Sequence, residues 1–255
     1  MIMFLLPIFL ILLLLGLPIY GSLAFSVVGA MEFTGRMDPT IVPMRMFSGM
    51  NNFSLMAIPF FILAAELMRV GGLSARLIKL AQVLIGWAPG GLASATVLSC
   101  LFFGSISGSS PATVVAIGSI MFPALVVAGY SKKFAIGLIT TAGTLGPIVP
   151  PSIALIIYGS VTATSVGQLF VAGILPALLL GGLLIAYCMI YSKKNNFVSS
   201  PFPTLKEVIE AIKGSAWGLG LPVILLGGIY SGIFTATESA CGCLRIWINC
   251  WFNYL

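Results

Sequence analysis

The side chains of this sequence that could do chemistry are hydroxyls, and they gather in two places. Ser105, Ser107, Ser109, Ser110 and Thr113 crowd a run that also holds Gly104, Gly108 and Pro111. Thr141, Thr144 and Ser152 flank a second run, in which Gly143, Gly146, Pro147, Pro150 and Pro151 follow one another closely. No charged residue occurs between Lys79 and Lys132, or between Lys133 and Lys193. Together the two runs offer hydroxyls, the carbonyls freed where glycine and proline interrupt helices, and no formal charge. Such an oxygen-only set suits a hard monovalent cation such as sodium and suits transition metals poorly. Helix N-termini at Pro111 and Pro151 would bring positive dipole ends to the same place, favouring a carboxylate without an arginine. The candidate ion- and substrate-binding residues are therefore Ser105, Ser107, Gly108, Ser109, Ser110, Thr113, Thr144, Gly146, Pro150, Pro151 and Ser152.

Other chemistries are disfavoured by what is missing. The chain has no histidine, which removes Ser-His nucleophilic catalysis, histidine-ligated zinc and haem, and histidine proton relays. No lysine lies inside an apolar run to act as the base of an intramembrane serine protease. Cys100 and Cys188 sit within apolar runs and read as small packing residues, and no zinc-type spacing appears. The residues predict a non-enzyme with no cofactor beyond a coupling ion. Gly104 and Gly108 also match the GxxxG helix-packing pattern, so packing is the competing reading of the first run.

The elements that must hold these runs are membrane elements. The composition is 59% hydrophobic and only 7% charged, against about 25% charged in soluble domains. That balance requires lipid as solvent, and predicts an all-α polytopic membrane protein. The net charge of +6 comes from lysines and arginines placed singly or in pairs at the ends of apolar runs, which fits membrane orientation rather than nucleic-acid binding. If Ile2–Ala30 is one span, Arg69, Arg76, Lys79, Lys132, Lys133, Lys193, Lys194, Lys206 and Lys213 share one side, as a cytoplasmic face requires. Arg36 and Arg45 then lie opposite, with Glu32 and Asp38.

In chain order, Ile2–Ala30 reads as one long helix, with two shorter helices joined near Gly16–Pro18 as the alternative. Its length and lack of a basic leader argue against a cleaved signal peptide. Met31–Met50 reads as an interfacial connection. Asn52–Met68 is a span that Pro59 should kink, with Glu66 near its end pairing locally with Arg69. Leu73–Trp87 is an amphipathic arm helix with a stripe of Leu73, Leu77, Leu80, Leu84 and Trp87. Residues 89–128 form two apolar halves around the Ser/Gly turn, a re-entrant hairpin or two short spans. Phe134–Thr164 is a span broken by its prolines, restarting as helix at Pro151. Val166–Tyr191 is a plain span. Leu205–Lys213 is a short surface helix, and Gly214–Phe234 a further span.

At this point the residues resemble a family. GSISGSSPATVVAIGSIMFPAL and TAGTLGPIVPPSIALIIYG, with PFFILAAELM and GIFTATESA, look like the large membrane subunit (M-type) of tripartite ATP-independent periplasmic (TRAP) transporters. The resemblance runs from the start to about Ala240. It implies an ion-transporter-superfamily fold, here a half-repeat with re-entrant hairpin and broken helix, working by an elevator movement. It also implies sodium-coupled uptake of a carboxylate, such as a C4-dicarboxylate, sialic acid or a sugar acid, across the bacterial inner membrane. The implied partners are a small Q-type membrane subunit and a periplasmic substrate-binding protein. Scaffold and arm helices would occupy 1–88, hairpin and discontinuous helix 89–165, and further helices 166–240. The second hairpin and second broken helix of the family do not follow. Instead residues 241–255 carry three of the five Cys and two of the four Trp, a change of character that reads as a frameshift or truncation. Two readings stand beside this one: a stand-alone sodium/anion symporter of the same superfamily, and a non-transporting membrane fragment.

Overall fold

A computed structural model describes residues 2–35, 38, 40–195, 197, 201–242 and 244–245 of the chain. Every regular element among them is helical. Arg36 and nearly all of the atypical tail, including Cys243, Cys250 and both of its tryptophans, lie outside the described residues. The chain divides into two compact units, Met1–Asn52 and Phe53–Leu255.

The first unit holds α1 (Ile2–Leu14), α2 (Ile19–Thr34) and α3 (Ile41–Met50). The single long helix expected over Ile2–Ala30 is thus two. Gly16 takes a left-handed φ of 83°, and Pro18 has no N–H with which to continue the ladder. The two helices pack on one another, with the Ile8 side chain seated on Gly29. The sidedness argued for the residues upstream of Met50 loses its premise with that break.

The second unit begins with a short 3₁₀ turn at Phe53–Met56, followed by α4 (Ala57–Val70) and α5 (Leu73–Ile85). Pro59 falls in the first turn of α4, where its missing N–H costs no helical hydrogen bond, so it does not kink the span. On α5, Leu73, Ser74, Leu77, Ile78, Leu80 and Ala81 are buried and face the neighbouring helices, while Arg76 and Lys79 are exposed. Leu84 and Trp87 leave the expected stripe: both are exposed, and the Trp87 indole donates to the Leu84 carbonyl and lies 5.0 Å from the Phe202 ring.

Then come α6 (Gly91–Ser107), α7 (Ser110–Val127), α8 (Lys132–Gly143), α9 (Ile153–Thr162), α10 (Val166–Lys194) and α11 (Leu205–Tyr230). By length and composition α7, α10 and the Phe53–Val70 stretch are each sufficient to cross a membrane. The expected division at Lys213 lies a few residues further on: α11 is continuous in its hydrogen bonding past Gly214, which alone does not remove a helical hydrogen bond, and divides into two segments after Ala216. It is bent by 58° between Leu205–Ala216 and Gly218–Tyr230. The core of this unit is built from Phe61, Leu77, Val97, Phe103, Ile117, Met121, Leu145, Ile156 and Phe170, with Ala240 closing it near the C-terminal end.

In the second unit the two lysine pairs, Lys132–Lys133 and Lys193–Lys194, are brought to the same end. Tyr130, just before Lys132, hydrogen-bonds Ser192, just before Lys193, at 2.9 Å. The Ser215 hydroxyl donates to the Arg76 carbonyl at 3.0 Å. Gly90, at the foot of α6, abuts Ser192 so closely that a Cβ there would lie 2.6 Å from the Ser192 Cβ. Both feet of the α6–α7 hairpin therefore stand on the last turn of α10. Its tip lies one helix length away, about 25 Å for α6 at 1.5 Å per residue.

Candidate functional site

The turn at the hairpin tip is tighter than its composition implied. The Ser105 hydroxyl donates to the Phe102 carbonyl at 2.7 Å, so that serine satisfies itself on its own helix and α6 continues to Ser107. Only Gly108 and Ser109 remain outside a helix. Gly108 has φ 58° and ends α6; Ser109 is extended and precedes α7, whose second residue is Pro111. A proline in the first helical turn removes a donor that would otherwise lack a partner.

The Gly/Pro break spans residues 144–152, between α8 and α9. The expected restart at Pro151 moves two residues on. Ser152 takes extended geometry and caps the helix, its hydroxyl accepting from the Leu155 N–H at 3.4 Å and donating to the Pro147 carbonyl. A serine at this position satisfies one of the orphan N–H groups of the first turn, which proline cannot do.

The structure brings the two breaks into direct contact. A Cβ on Gly104 would lie 2.9 Å from the Gly146 Cα. One on Gly146 would lie 2.9 Å from the Ser109 carbonyl oxygen and 3.0 Å from the Thr113 Oγ1. One on Gly108 would lie 3.0 Å from both the Pro151 carbonyl oxygen and the Ile153 nitrogen. Backbone meets backbone at these points, which only glycine permits. From the far side, Gly173 of α10 sits against the Ile148 carbonyl, where a Cβ would be 2.9 Å away.

Within this contact lies a hydroxyl network. Thr113, fully buried, donates to the Ser109 carbonyl at 2.8 Å, and its oxygen is 2.9 Å from the Ser107 Oγ. Because Thr113 spends its proton on Ser109, Ser107 supplies the proton between the two hydroxyls. The network fixes the direction of the Ser109 carbonyl. Ser107, Thr113 and Ser152 are thus committed to internal partners. The Ser109 and Ser110 hydroxyls, half-buried at the tip, make no hydrogen bond within the described residues. α7 has no side-chain cap, so its first N–H groups point out of the same tip.

Of the sequence-selected residues, Ser107, Gly108, Ser109, Thr113, Gly146, Pro151 and Ser152 lie in or beside this contact, and Ser110 and Pro150 adjoin it in the chain. Ser105 faces instead an apolar pocket with Phe61, Ala64, Met68, Pro151 and Pro222. Thr144 is exposed and donates to the Thr141 carbonyl at 2.7 Å, away from the turn. Two contact residues, Gly104 and Gly173, were not among the candidates. A glycine in an apolar run marks a close approach without naming the partner. Among the described residues no charged side chain bonds to the turn or the break, and no group of His, Cys, Asp or Glu could hold a metal. Glu66 pairs with Arg69 on the exposed face of α4, their shortest nitrogen–oxygen pair reinforced by Arg69 Nε contacts at 3.0 and 3.1 Å.

Comparison with known proteins gives a consistent result. The family described as "Tripartite ATP-independent periplasmic transporter, DctM component" matches residues 6–248, past Ala240 and into the atypical tail. The C4-dicarboxylate TRAP transporter large permease protein DctM of Vibrio cholerae is 46% identical over 226 residues, covering 88% of this chain and 50% of that protein. The isethionate TRAP transporter permease protein DctMQ of Oleidesulfovibrio alaskensis is 43% identical over 233 residues, covering 91% of this chain and 37% of that protein. The ectoine TRAP transporter large permease protein TeaC of Halomonas elongata is 42% identical over 235 residues, covering 91% and 55%. The chain spans about half the length of the Vibrio cholerae and Halomonas elongata relatives and 37% of the Oleidesulfovibrio alaskensis one.

Proposed function

The chain belongs to the family of DctM components of TRAP transporters, and from that membership we propose that it forms one half of a sodium-coupled permease for a small organic anion. Members of the family are multi-pass membrane transporters, not enzymes. The observation that carries the sodium reading is the uncharged oxygen cluster where the α6–α7 turn meets the α8–α9 break. Ser109 and Ser110 bring free hydroxyls to it, and Thr113 fixes the Ser109 carbonyl. A monovalent cation can be held by such dipoles without a compensating carboxylate. The N-terminus of α7, uncapped, presents a positive dipole end to an anion at the same place.

The substrate class is a carboxylate in this reading, though relatives are named for isethionate and ectoine as well as C4-dicarboxylates. A periplasmic binding protein delivers it, a Q-type subunit packs on the permease, and the assembly sits in the inner membrane. The hairpin and broken helix act together as a moving half-site, because they share backbone contacts at Gly104, Gly108 and Gly146. The testing experiment is uptake of a labelled C4-dicarboxylate into proteoliposomes containing the permease that carries this segment. It is run with and without its small subunit and binding protein, under sodium or potassium gradients. Uptake that needs both the sodium gradient and the binding protein supports the proposal. Uptake with sodium but without any binding protein assigns a stand-alone symporter instead.

A further inference from the structure

We propose that the basic end of α8 and α10 is a binding site for the phosphate of an anionic phospholipid, whose acyl chain lies along one exposed face of α10. Lys132 and Lys133 are the first residues of α8, and Lys193 and Lys194 the last of α10. An aromatic stack holds the two ends together. The Phe134 and Tyr191 rings are 4.1 Å apart, the Tyr130 and Phe197 rings 4.0 Å. Tyr130, only 4% exposed, hydrogen-bonds Ser192 at 2.9 Å. The four lysines are exposed, and none forms an ion pair among the described residues. No acidic residue occurs anywhere between Glu66 and Glu207. The cluster is therefore an uncompensated cation patch fixed by a rigid base, with the N-terminus of α8 adding its dipole.

Its height and its neighbours identify the occupant. At 29 residues α10 is about 43 Å long, more than the roughly 30 Å hydrocarbon core, so its last turn emerges at headgroup level. Leu183, Tyr187, Ile190 and Lys194 recur at four, three and four residues and share one face. Leu183 is 60% exposed, Tyr187 54% and Ile190 69%. An apolar track thus runs up to the lysines, and Tyr187 adjoins Phe134 of α8 at 6.3 Å. A free phosphate would use the lysines and leave the track idle; a phospholipid uses both.

The test is native mass spectrometry of the purified chain in detergent, titrated with dioleoylphosphatidylglycerol or dioleoylphosphatidylcholine. Phosphatidylglycerol is retained preferentially. K193Q/K194Q weakens that retention about 25-fold, at about fivefold per interfacial lysine. K193R/K194R retains it, showing that charge rather than folding is at issue. K206Q/K213Q, which removes two lysines elsewhere, leaves it unchanged. Equal retention of phosphatidylcholine overturns the proposal. So does equal loss in K206Q/K213Q, or full retention in K193Q/K194Q. Displacement of phosphatidylglycerol by millimolar inorganic phosphate reassigns the site to a free anion and overturns it too.

Discussion

Replacing Gly108 by alanine probes the join between the hairpin turn and the broken helix. Gly108 has φ 58°, and an added Cβ would stand 3.0 Å from the Pro151 carbonyl oxygen and the Ile153 nitrogen and 3.2 Å from the Ser152 Cα. All three are backbone atoms, so no side chain can swing aside. The left-handed conformation costs about 1–2 kcal/mol for a residue with a Cβ. Wedging the turn from the break adds about 1–3 kcal/mol, for a total of about 2–5 kcal/mol. Two controls separate these effects. Gly72 has φ 72° with no atom within 4 Å of an added Cβ, so Gly72→Ala isolates the conformational cost. Gly137, within α8, has ordinary helical geometry and open space, so Gly137→Ala is neutral or stabilising by about 0.5–1 kcal/mol. Thermal unfolding in one detergent, followed by circular dichroism, should rank Gly137→Ala at or above the parent, then Gly72→Ala, then Gly108→Ala. Equal melting of Gly108→Ala and Gly72→Ala would refute the packing of turn on break.

Thr113→Val keeps the shape but removes the 2.8 Å hydroxyl bond to the Ser109 carbonyl and the 2.9 Å contact with Ser107, while the Thr113 N–H still reaches that carbonyl at 3.2 Å and Ser107 keeps its longer contacts with Ser109, so it destabilises by about 0.5–1.5 kcal/mol; Thr113→Ser recovers most of this in the same melts. Ser107→Leu, at a site 2% exposed, abolishes sodium-dependent uptake by the permease, and normal uptake at normal expression counts against the turn as a site. Gly90→Ala destabilises through the Ser192 side chain, and Ser192→Gly in the same chain restores part of the loss, a coupling of about 1 kcal/mol or more in a double-mutant cycle. The Thr235 N–H and hydroxyl, each 2.8 Å from the Glu238 carboxylate, hold its pKa below the ordinary carboxylate range. That cap contributes above the ordinary value and is lost as pH falls through the lowered one, so the protection of the Thr235 amide, taken as its exchange rate relative to the intrinsic rate at each pH, falls on acidification, and Glu238→Gln removes that pH dependence.

Much of the backbone geometry of the candidate site was legible because proline and glycine constrain backbone locally. The runs around Gly108 and Pro147–Pro151 could be placed from residue types alone, and each interrupts a helix. Their precise edges were not legible. Ser105 and Ser107 stay helical because Ser105 bonds its own helix, and Ser152 rather than Pro151 starts α9 because a hydroxyl can cap and a proline ring cannot. The two runs were expected to come to the same place, yet the pairs that make the contact are long-range facts. Nothing in Gly104 names Gly146, and nothing in Gly173 names Ile148. The same holds for α11, where the sequence places a boundary at Gly214 and the bend lies between Ala216 and Gly218. The break at Gly16–Pro18 was visible as an alternative, and positive φ at Gly16 decides it.

The most direct test of the sodium half-site uses its uncommitted hydroxyls. Uptake into proteoliposomes is measured against external sodium for the parent permease and for Ser109→Ala/Ser110→Ala. Loss of ligands to a bound cation should raise the half-saturating sodium concentration about tenfold or more, while the substrate half-saturation at saturating sodium stays unchanged. A sodium dependence identical in both proteins, or uptake driven equally by a potassium gradient, would contradict a sodium site at the meeting of the Ser/Gly turn and the Gly/Pro break.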